Sequence, residues 1–354
     1  MPHSKLGKVG WVLGGGGCLE GLPQAVQIKE FLDHGVVPDY IVALSVGALN
    51  ALDPYHTLEL WERFITSPWA IYDLNPRLRG VFKNLMQSIP RSPFHRHTSW
   101  KELGDDFKTQ YRSVKQLMGF VSRTLKSLPS LPVGSAPEPK DFSPFLELAL
   151  RTAGERGLGN IRHIVDPTPL IEILKNNIDL KKIAERPYTL HFLARSLNTG
   201  KERSFHIDTA YSEQKILDAA LASSALRPFF APVLIDGEWY SDIGHINPLP
   251  IMQAFDAGCD TVFAFVKNSQ QCFPETNIFE AMFDESTAQA NAMFEVLYEK
   301  ALERAHREQR IIHLIKPDQP THPDLKVLWI TPEAVGYTVP KEREATRRFL
   351  EKIL

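Results

Sequence analysis

Two hydrophobic patterns alternate along the first 54 residues. Val9–Leu13 is a short unbroken apolar run that stops at Gly14-Gly15-Gly16-Gly17. Beyond it Leu22, Ala25, Val26, Ile28, Phe31 and Leu32 recur at helical spacing until Gly35 and Pro38 interrupt them. Tyr40–Leu44 is again continuously apolar, as strands buried on both faces of a parallel sheet are. A helix over Gly47–Leu52 follows at once. Strand, glycine loop, helix, strand and helix over 8–54 make a βαβ unit with a right-handed crossover.

The alternation resumes after residue 160. Leu170–Leu174 suits a helix, Tyr188–Ala194 a strand and Ala219–Leu226 a helix of small residues. Val233-Leu234-Ile235 and Trp239-Tyr240 flank Asp236-Gly237, a hairpin signal. Thr261–Val266 reads as a buried strand, Phe279–Ile311 as one or two helices, Val327–Ile330 as a strand and Glu342–Ile353 as a closing helix. The expected fold is α/β in three layers, a mostly parallel central sheet flanked by helices. No internal repeat is present.

Residues 55–160 break the pattern. Tryptophans and phenylalanines lie on helix-like stretches cut by Pro76, Pro90, Pro93, Pro129, Pro132, Pro137 and Pro139, and Leu128–Pro144 is a proline- and serine-rich connector. Between Arg77 and Lys126 there are 11 Lys+Arg against 3 Asp+Glu, a local excess of 11 − 3 = 8 positive charges. The expectation is a core built from 8–54 and 161–354, with 55–160 inserted as a helical lobe or lid.

Composition narrows the function classes. The 354 residues carry 40 Lys+Arg and 42 Asp+Glu, a net charge of −2, with 43% hydrophobic and 23% charged residues. That balance excludes a disordered chain, a coiled coil and a protein whose overall charge is built for nucleic acid. Cys18, Cys259 and Cys272 form no CxxC, so neither a disulfide framework nor a zinc site is indicated. The apolar run near the start breaks into glycines and so does not read as a signal peptide. No uncharged run exceeds the 13 residues of Tyr40–Leu52, short of the ~18 that span a bilayer. A reducing, cytoplasmic setting is expected, with no metal, no cofactor and no nucleic-acid partner.

Three segments carry candidate chemistry. In Ala43-Leu44-Ser45-Val46-Gly47 a strand delivers a serine into a tight turn and a helix begins immediately, the context of a nucleophile elbow. Small residues two before and two after let strand and helix backbones approach; Ala43 stands where G-x-S-x-G has its first glycine. The alternative is a serine that caps a buried helix. Gly14–Gly17 lie between a strand and a helix, so their amides can face a cavity at the helix's positive end, to cradle a phosphate or hold an oxyanion. No GxGxxG register or GKS/GKT triplet supports a nucleotide site, and no acidic residue follows the second strand; a glycine turn without chemistry is the other reading. Asp242 closes the hairpin and enters a loop rich in Gly, Asn and Pro. It is either an Asx-turn residue or, if partly buried beside a serine hydroxyl, a general base.

Taken together these segments resemble the patatin-like phospholipase family over roughly 8–54 and 162–266. Gly14–Gly21, Ser45 and Asp242-Ile243-Gly244 follow the family's order of glycine-rich loop, G-x-S-x-G serine and Asp-Gly-Gly/Ala aspartate. Ala222-Ser223-Ser224-Ala225, Phe230-Ala231-Pro232-Val233, Asn247-x-x-Pro250, Asp166-x-Thr168-Pro169-Leu170 and Leu197-Asn198-Thr199-Gly200 also have family counterparts. Glu20 replaces the usual Arg or Lys before the last loop glycine, the loop is longer than GGGxRG, and Ile243 stands where glycine is usual.

The resemblance implies a lipid acyl hydrolase of phospholipase A or lysophospholipase type. In that scheme Ser45 is the nucleophile, Asp242 the general base, and the amides of Gly15, Gly16 and Gly17 the oxyanion hole. The substrate would be a phospholipid or another acyl lipid. The rival arrangement is a triad using His245 or His56. Arg77, Arg79, Lys83 and Arg91, interleaved with apolar residues, are candidates for contact with substrate or an anionic membrane surface, and a solvated helical face is the alternative. Cys18 reads as a packing residue. Ala43, Glu20 and Ile243 leave open a catalytically silent member that binds a membrane or a partner.

Overall fold

The computed structural model describes residues 3–64, 73–74, 163, 165–227, 229–266, 278–318 and 331–354. The chain divides into two compact units, one of 1–73, 165–272 and 285–354 and the other of 74–164 and 273–284. In chain order the described elements are α1 (His3–Leu6), β1 (Val9–Leu13), α2 (Cys18–Asp33), β2 (Tyr40–Ala43), α3 (Val46–Leu52), α4 (Thr57–Phe64), β3 (Asp73–Leu74) and β4 (Val165–Asp166). There follow α5 (Thr168–Asn177), α6 (Leu180–Ile183), β5 (Thr189–Ser196), β6 (Glu202–Ile207), α7 (Glu213–Ser224), β7 (Val233–Ile235) and β8 (Glu238–Ser241). Last come α8 (Ile251–Asp256), β9 (Thr261–Phe265), α9 (Ile278–Glu308), β10 (Ile311–Ile315) and α10 (Pro332–Ile353).

One eight-stranded sheet organises the first unit, in the order β10-β9-β1-β2-β5, with β8-β7 and β6 also joined to β5. The first five strands are mutually parallel, while β6, β7 and β8 run antiparallel to their neighbours. The period of two sorts residues to the two faces. Trp11, Leu13, Ile41, Ala43, Phe263 and Phe265 join one core with α2, α3, α7 and α10. Val12, Val42, Leu44, Val262 and Ala264 join a second core with α8 and α9. This is the three-layer, mostly parallel α/β arrangement that the apolar runs call for.

The register on β5 brings two strand ends together. Residues Leu190–Arg195 pair with β6, so β6 fills one edge of the strand. The other edge is shared: β2 pairs along it up to Ala43↔Phe192, and β8 pairs farther along at Arg195↔Ser241 and Ser196↔Tyr240. Because β2 runs parallel and β8 antiparallel to β5, their carboxyl ends point at each other, and both converge on the level of Ala194.

Several elements differ from the sequence expectation. Strand β6 lacks an apolar run, since only Phe205 and Ile207 of it are buried and its exposed positions are polar or charged; β10 is apolar but for His313, yet it begins where the helical stretch is expected to end and follows α9 directly through Gln309, whose φ is 54°. Helix α10 starts ten residues earlier than Glu342, with Thr331 accepting a bond from the Ala334 amide and Pro332 in the first turn; Gly336 and Pro340 within it mask the helical pattern. The hairpin over Asp236-Gly237 takes positive φ at both residues (50° and 82°), as a two-residue turn of this kind requires. At the start of the expected lobe, α4 packs into the first core through Leu58, Leu60 and Trp61. Val327–Ile330 and most of the 55–160 segment lie outside the described residues.

Candidate active site

Ser45 is held in a strained turn. Its φ of 54° and ψ of −132° are costly for a residue with a Cβ. The amide of Ser45 donates to Ser223 Oγ at 3.1 Å and Ser223 O at 3.2 Å, and the Ser45 carbonyl accepts from Ser224 Oγ at 3.0 Å. Ser223 Oγ in turn donates to Leu193 O at 2.6 Å, tying the elbow to β5 through the end of α7. Glycine is required at position 47, where a Cβ would stand 2.7 Å from the Gly14 carbonyl oxygen. Ala43 is fully buried in the core, so its methyl is packed there. Ser45 occupies the N-cap of α3 but its side chain makes no capping bond, which leaves the hydroxyl for other use.

Opposite the elbow lies the glycine loop. The Gly14 amide donates to Phe265 O at 2.9 Å, fixing the loop to β9. A Cβ at Gly15 would stand 2.8 Å from Ser45 Cβ and 3.2 Å from its Oγ, so only glycine lets the backbone come this close to the hydroxyl. Gly16 and Gly17 take φ of 150° and 61°, and Gly17 begins α2. Among the described residues no acceptor is bonded to the amides of Gly15, Gly16 or Gly17. The Glu20 side chain is buried against Gly16 in the first turn of α2, where the helix dipole favours a carboxylate.

Asp242 reaches the same point along β8. Its amide donates to Ala225 O at 3.1 Å, so the end of α7 fixes both the serine turn and the aspartate. The carboxylate is buried and accepts from the Gly244 amide at 2.6 Å, and the Ser45 hydroxyl is near enough to stabilise its charged form. Burial raises its pKa to about 6, against the opposing influence of the Ser45 hydroxyl and the Gly244 amide. Ile243 packs its side chain into the second core.

The other candidates fall elsewhere. His56 pairs with Asp53 at 3.0 Å, which Arg186 also holds at 2.9 Å. His245 is half-buried, and burial together with the Arg195 charge lowers its pKa. Among the described residues neither histidine is bonded to Ser45 or Asp242. The Cys18 thiol is buried and pushed up to about 12, so it is not a thiolate at neutral pH. Arg77, Arg79, Lys83 and Arg91 lie outside the described residues.

Two sets of positioning residues have roles that the sequence does not disclose. Ser223 and Ser224 belong to a recognisable motif, but their hold on the elbow emerges only from the fold. Asn50 carries no local signal. Its side-chain amide donates to Gly21 O and Gln24 Oε1, both at 2.9 Å, and its oxygen accepts from Thr57 Oγ1 at 2.9 Å and Trp61 Nε1 at 2.8 Å. Gln24 then donates to Gly14 O at 3.3 Å. This buried network ties α3, α2 and α4 to the back of the glycine loop.

Comparison with known proteins agrees with the fold and the motif order. The model of the patatin-like phospholipase family matches residues 11–255, and the chain belongs to that family of lipid acyl hydrolases. No curated protein sequence matches. Among solved structures, VipD from Legionella pneumophila is similar at 15% identity and a TM-score of 0.42, over 98% of this chain and 67% of VipD. The type III effector ExoU is similar at 12% identity and a TM-score of 0.31, over 98% of this chain and 53% of ExoU. In the ExoU–SpcU complex from the type III secretion system of Pseudomonas aeruginosa the figures are 16%, 0.29, 98% and 52%. The chain therefore spans about half the length of ExoU.

Proposed function

We propose that this chain hydrolyses the carboxylic ester bonds of acyl lipids, of phospholipase A or lysophospholipase type, through Ser45 and Asp242. The observation that carries the reading is the juxtaposition of a strained serine and a desolvated carboxylate at the meeting of two strand ends. A base with a pKa of about 6 is ionised at neutral pH yet basic enough to take a proton. Ser45 Oγ attacks the ester carbonyl while Asp242 accepts its proton. The oxygen that becomes negative is received by the amides of Gly15, Gly16 and Gly17, each such donor being worth about 3 kcal/mol of barrier. The proton passes to the departing alcohol, leaving acyl-Ser45; water, deprotonated by Asp242, then releases the fatty acid.

Among the described residues no helix is long and apolar enough to cross a membrane. The setting proposed for the reaction is the cytoplasm or the surface of a membrane. The test is fatty-acid release from phospholipid vesicles together with labelling by a fluorophosphonate probe. Wild type should do both and Ser45→Ala neither. Absence of labelling and turnover in folded wild type would leave the silent, binding member of the family as the reading.

A further inference from the structure

We propose that Leu44 is a positioning residue for the ester-cleaving pair: its side chain is the apolar wedge that shuts water and polar donors out from beneath the Asp242 carboxylate. The proposal rests on Ser45 and Asp242 as nucleophile and base and extends that reading to what tunes the base. Leu44 lies between Ala43 and Ser45, at a place in the elbow where the turn makes no demand for a small residue. Its backbone is fixed on both sides. The amide donates to Leu13 O at 3.0 Å, and the carbonyl accepts from the Gly47 amide at 3.0 Å. The side chain is fully buried and enters the second core with Ile243 and Leu249 of the loop that follows Asp242.

One methyl of Leu44 lies against both halves of the site. A Cβ at Gly244 would stand 3.2 Å from Leu44 Cδ1 and 3.1 Å from Asp242 Oδ1, so the methyl and the carboxylate oxygen flank one point. A Cβ at Gly15 would stand 3.2 Å from the same Cδ1 and 3.2 Å from Ser45 Oγ. Glycine at both places lets Leu44 close in on the base from one side and on the glycine loop from the other. A hydrocarbon there offers the carboxylate no hydrogen bond and excludes water from the space it fills, which disfavours the charged form. Charge does not supply the effect. Among the described residues the neighbouring elements bring Cys18 and Glu20 in the first turn of α2, Arg195 on β5 and His245 in the loop past Asp242. Yet the proton affinity of Asp242 is raised by burial and opposed only by Ser45 and the Gly244 amide. Strand alternation also sends the Arg195 side chain, with that of Ser241, to the sheet face opposite Asp242.

The test is the pH profile of kcat/KM on a soluble short-chain p-nitrophenyl ester, for the full chain as wild type, Leu44→Asn, Leu44→Ala and Leu44→Met. Wild type should lose activity as pH falls through about 6. Leu44→Asn sets an amide donor beneath the carboxylate and should move that limb down by at least about one pH unit, a tenfold weaker hold on the proton. Leu44→Ala should move it in the same direction, and Leu44→Met, which keeps the contact apolar, should leave it in place. A limb unmoved in folded Leu44→Asn and Leu44→Ala overturns the proposal, as does an equal shift in Leu44→Met. A second arm needs no turnover. The Asp242 carboxyl, assigned in carbon NMR spectra by its loss in Asp242→Asn, should titrate at lower pH in Leu44→Asn than in wild type, and equal titration overturns the proposal. If that arm succeeds while wild type cleaves no ester, the hydrolytic reading fails and the role of Leu44 beneath the carboxylate stands.

Discussion

Two of the regions that hold buried carboxylates differ in their surroundings. In the seam between α2 and α10, Glu30 is 1% exposed and meets Arg343 at 2.9 Å and Arg347 at 2.7 Å. Beside it Glu342 accepts from Gln27 Nε2 at 2.6 Å and the Asp318 amide at 2.8 Å. Where β2 and β8 converge Asp242 is buried too, but it accepts from one backbone amide, lies near the Ser45 hydroxyl and has no arginine beside it. A buried acid held between two arginines joins two helices. A buried acid without a cation holds its proton to a pH nearer neutrality, where one can be taken up and given back. The difference separates a structural carboxylate from a chemical one within a single core.

Asp242→Asn tests that distinction most severely. Turnover should fall about a thousandfold or more, because the amide cannot accept the serine proton. Stability should move the other way. The folded-state pKa lies above the ordinary 3.8, so ionisation of Asp242 opposes folding as pH rises through about 6. Removing the charge should therefore raise the melting temperature at pH 7.5, with a gain of up to about 3 kcal/mol. An asparagine variant less stable than wild type would put Asp242 in the same class as Glu30.

Next comes Asn50→Leu, which strips four hydrogen bonds from behind the glycine loop. The expected cost is about 3 kcal/mol in denaturant unfolding, with kcat reduced more than KM is raised. Arg343→Ala with Arg347→Ala should cost about 2 kcal/mol, less than in a fully enclosed pair because both guanidinium groups remain half in water. Turnover per folded molecule should not change, since the seam touches no reacting atom.

The smallest effects are in pH dependence. Wild-type turnover should rise as pH passes about 6, through loss of the Asp242 proton. Glu342 is raised to about 7, chiefly by burial, so its contribution to stability is present below the ordinary glutamate range and lost as pH rises through about 7. Glu342→Gln should flatten that decline in a melting series from pH 5 to 8 without moving the turnover profile.

Much of this arrangement is legible in the amino-acid sequence. β1, β2 and β9 are buried on both faces and read as apolar runs, and the elbow, glycine loop and Asp-Gly hairpin announce themselves through residues chosen for backbone conformation. The hidden parts have no local pattern. Ser223 holds the Ser45 amide across 178 positions, and Asn50 is one polar residue on a short helix whose partners come from two other elements besides its own neighbourhood. Sequence periodicity reports which face a residue takes, but not which distant strand end arrives opposite it.

The shared edge of β5 also orders events as the polypeptide is made. A chain emerging from the ribosome exposes Ser45 nearly two hundred residues before Asp242, and the serine has no base until β8 comes in antiparallel against β5. On the proposed chemistry, hydrolysis is withheld from every translation product that ends before β8, so a molecule halted in its first half does no harm to the membranes of the cell that synthesises it.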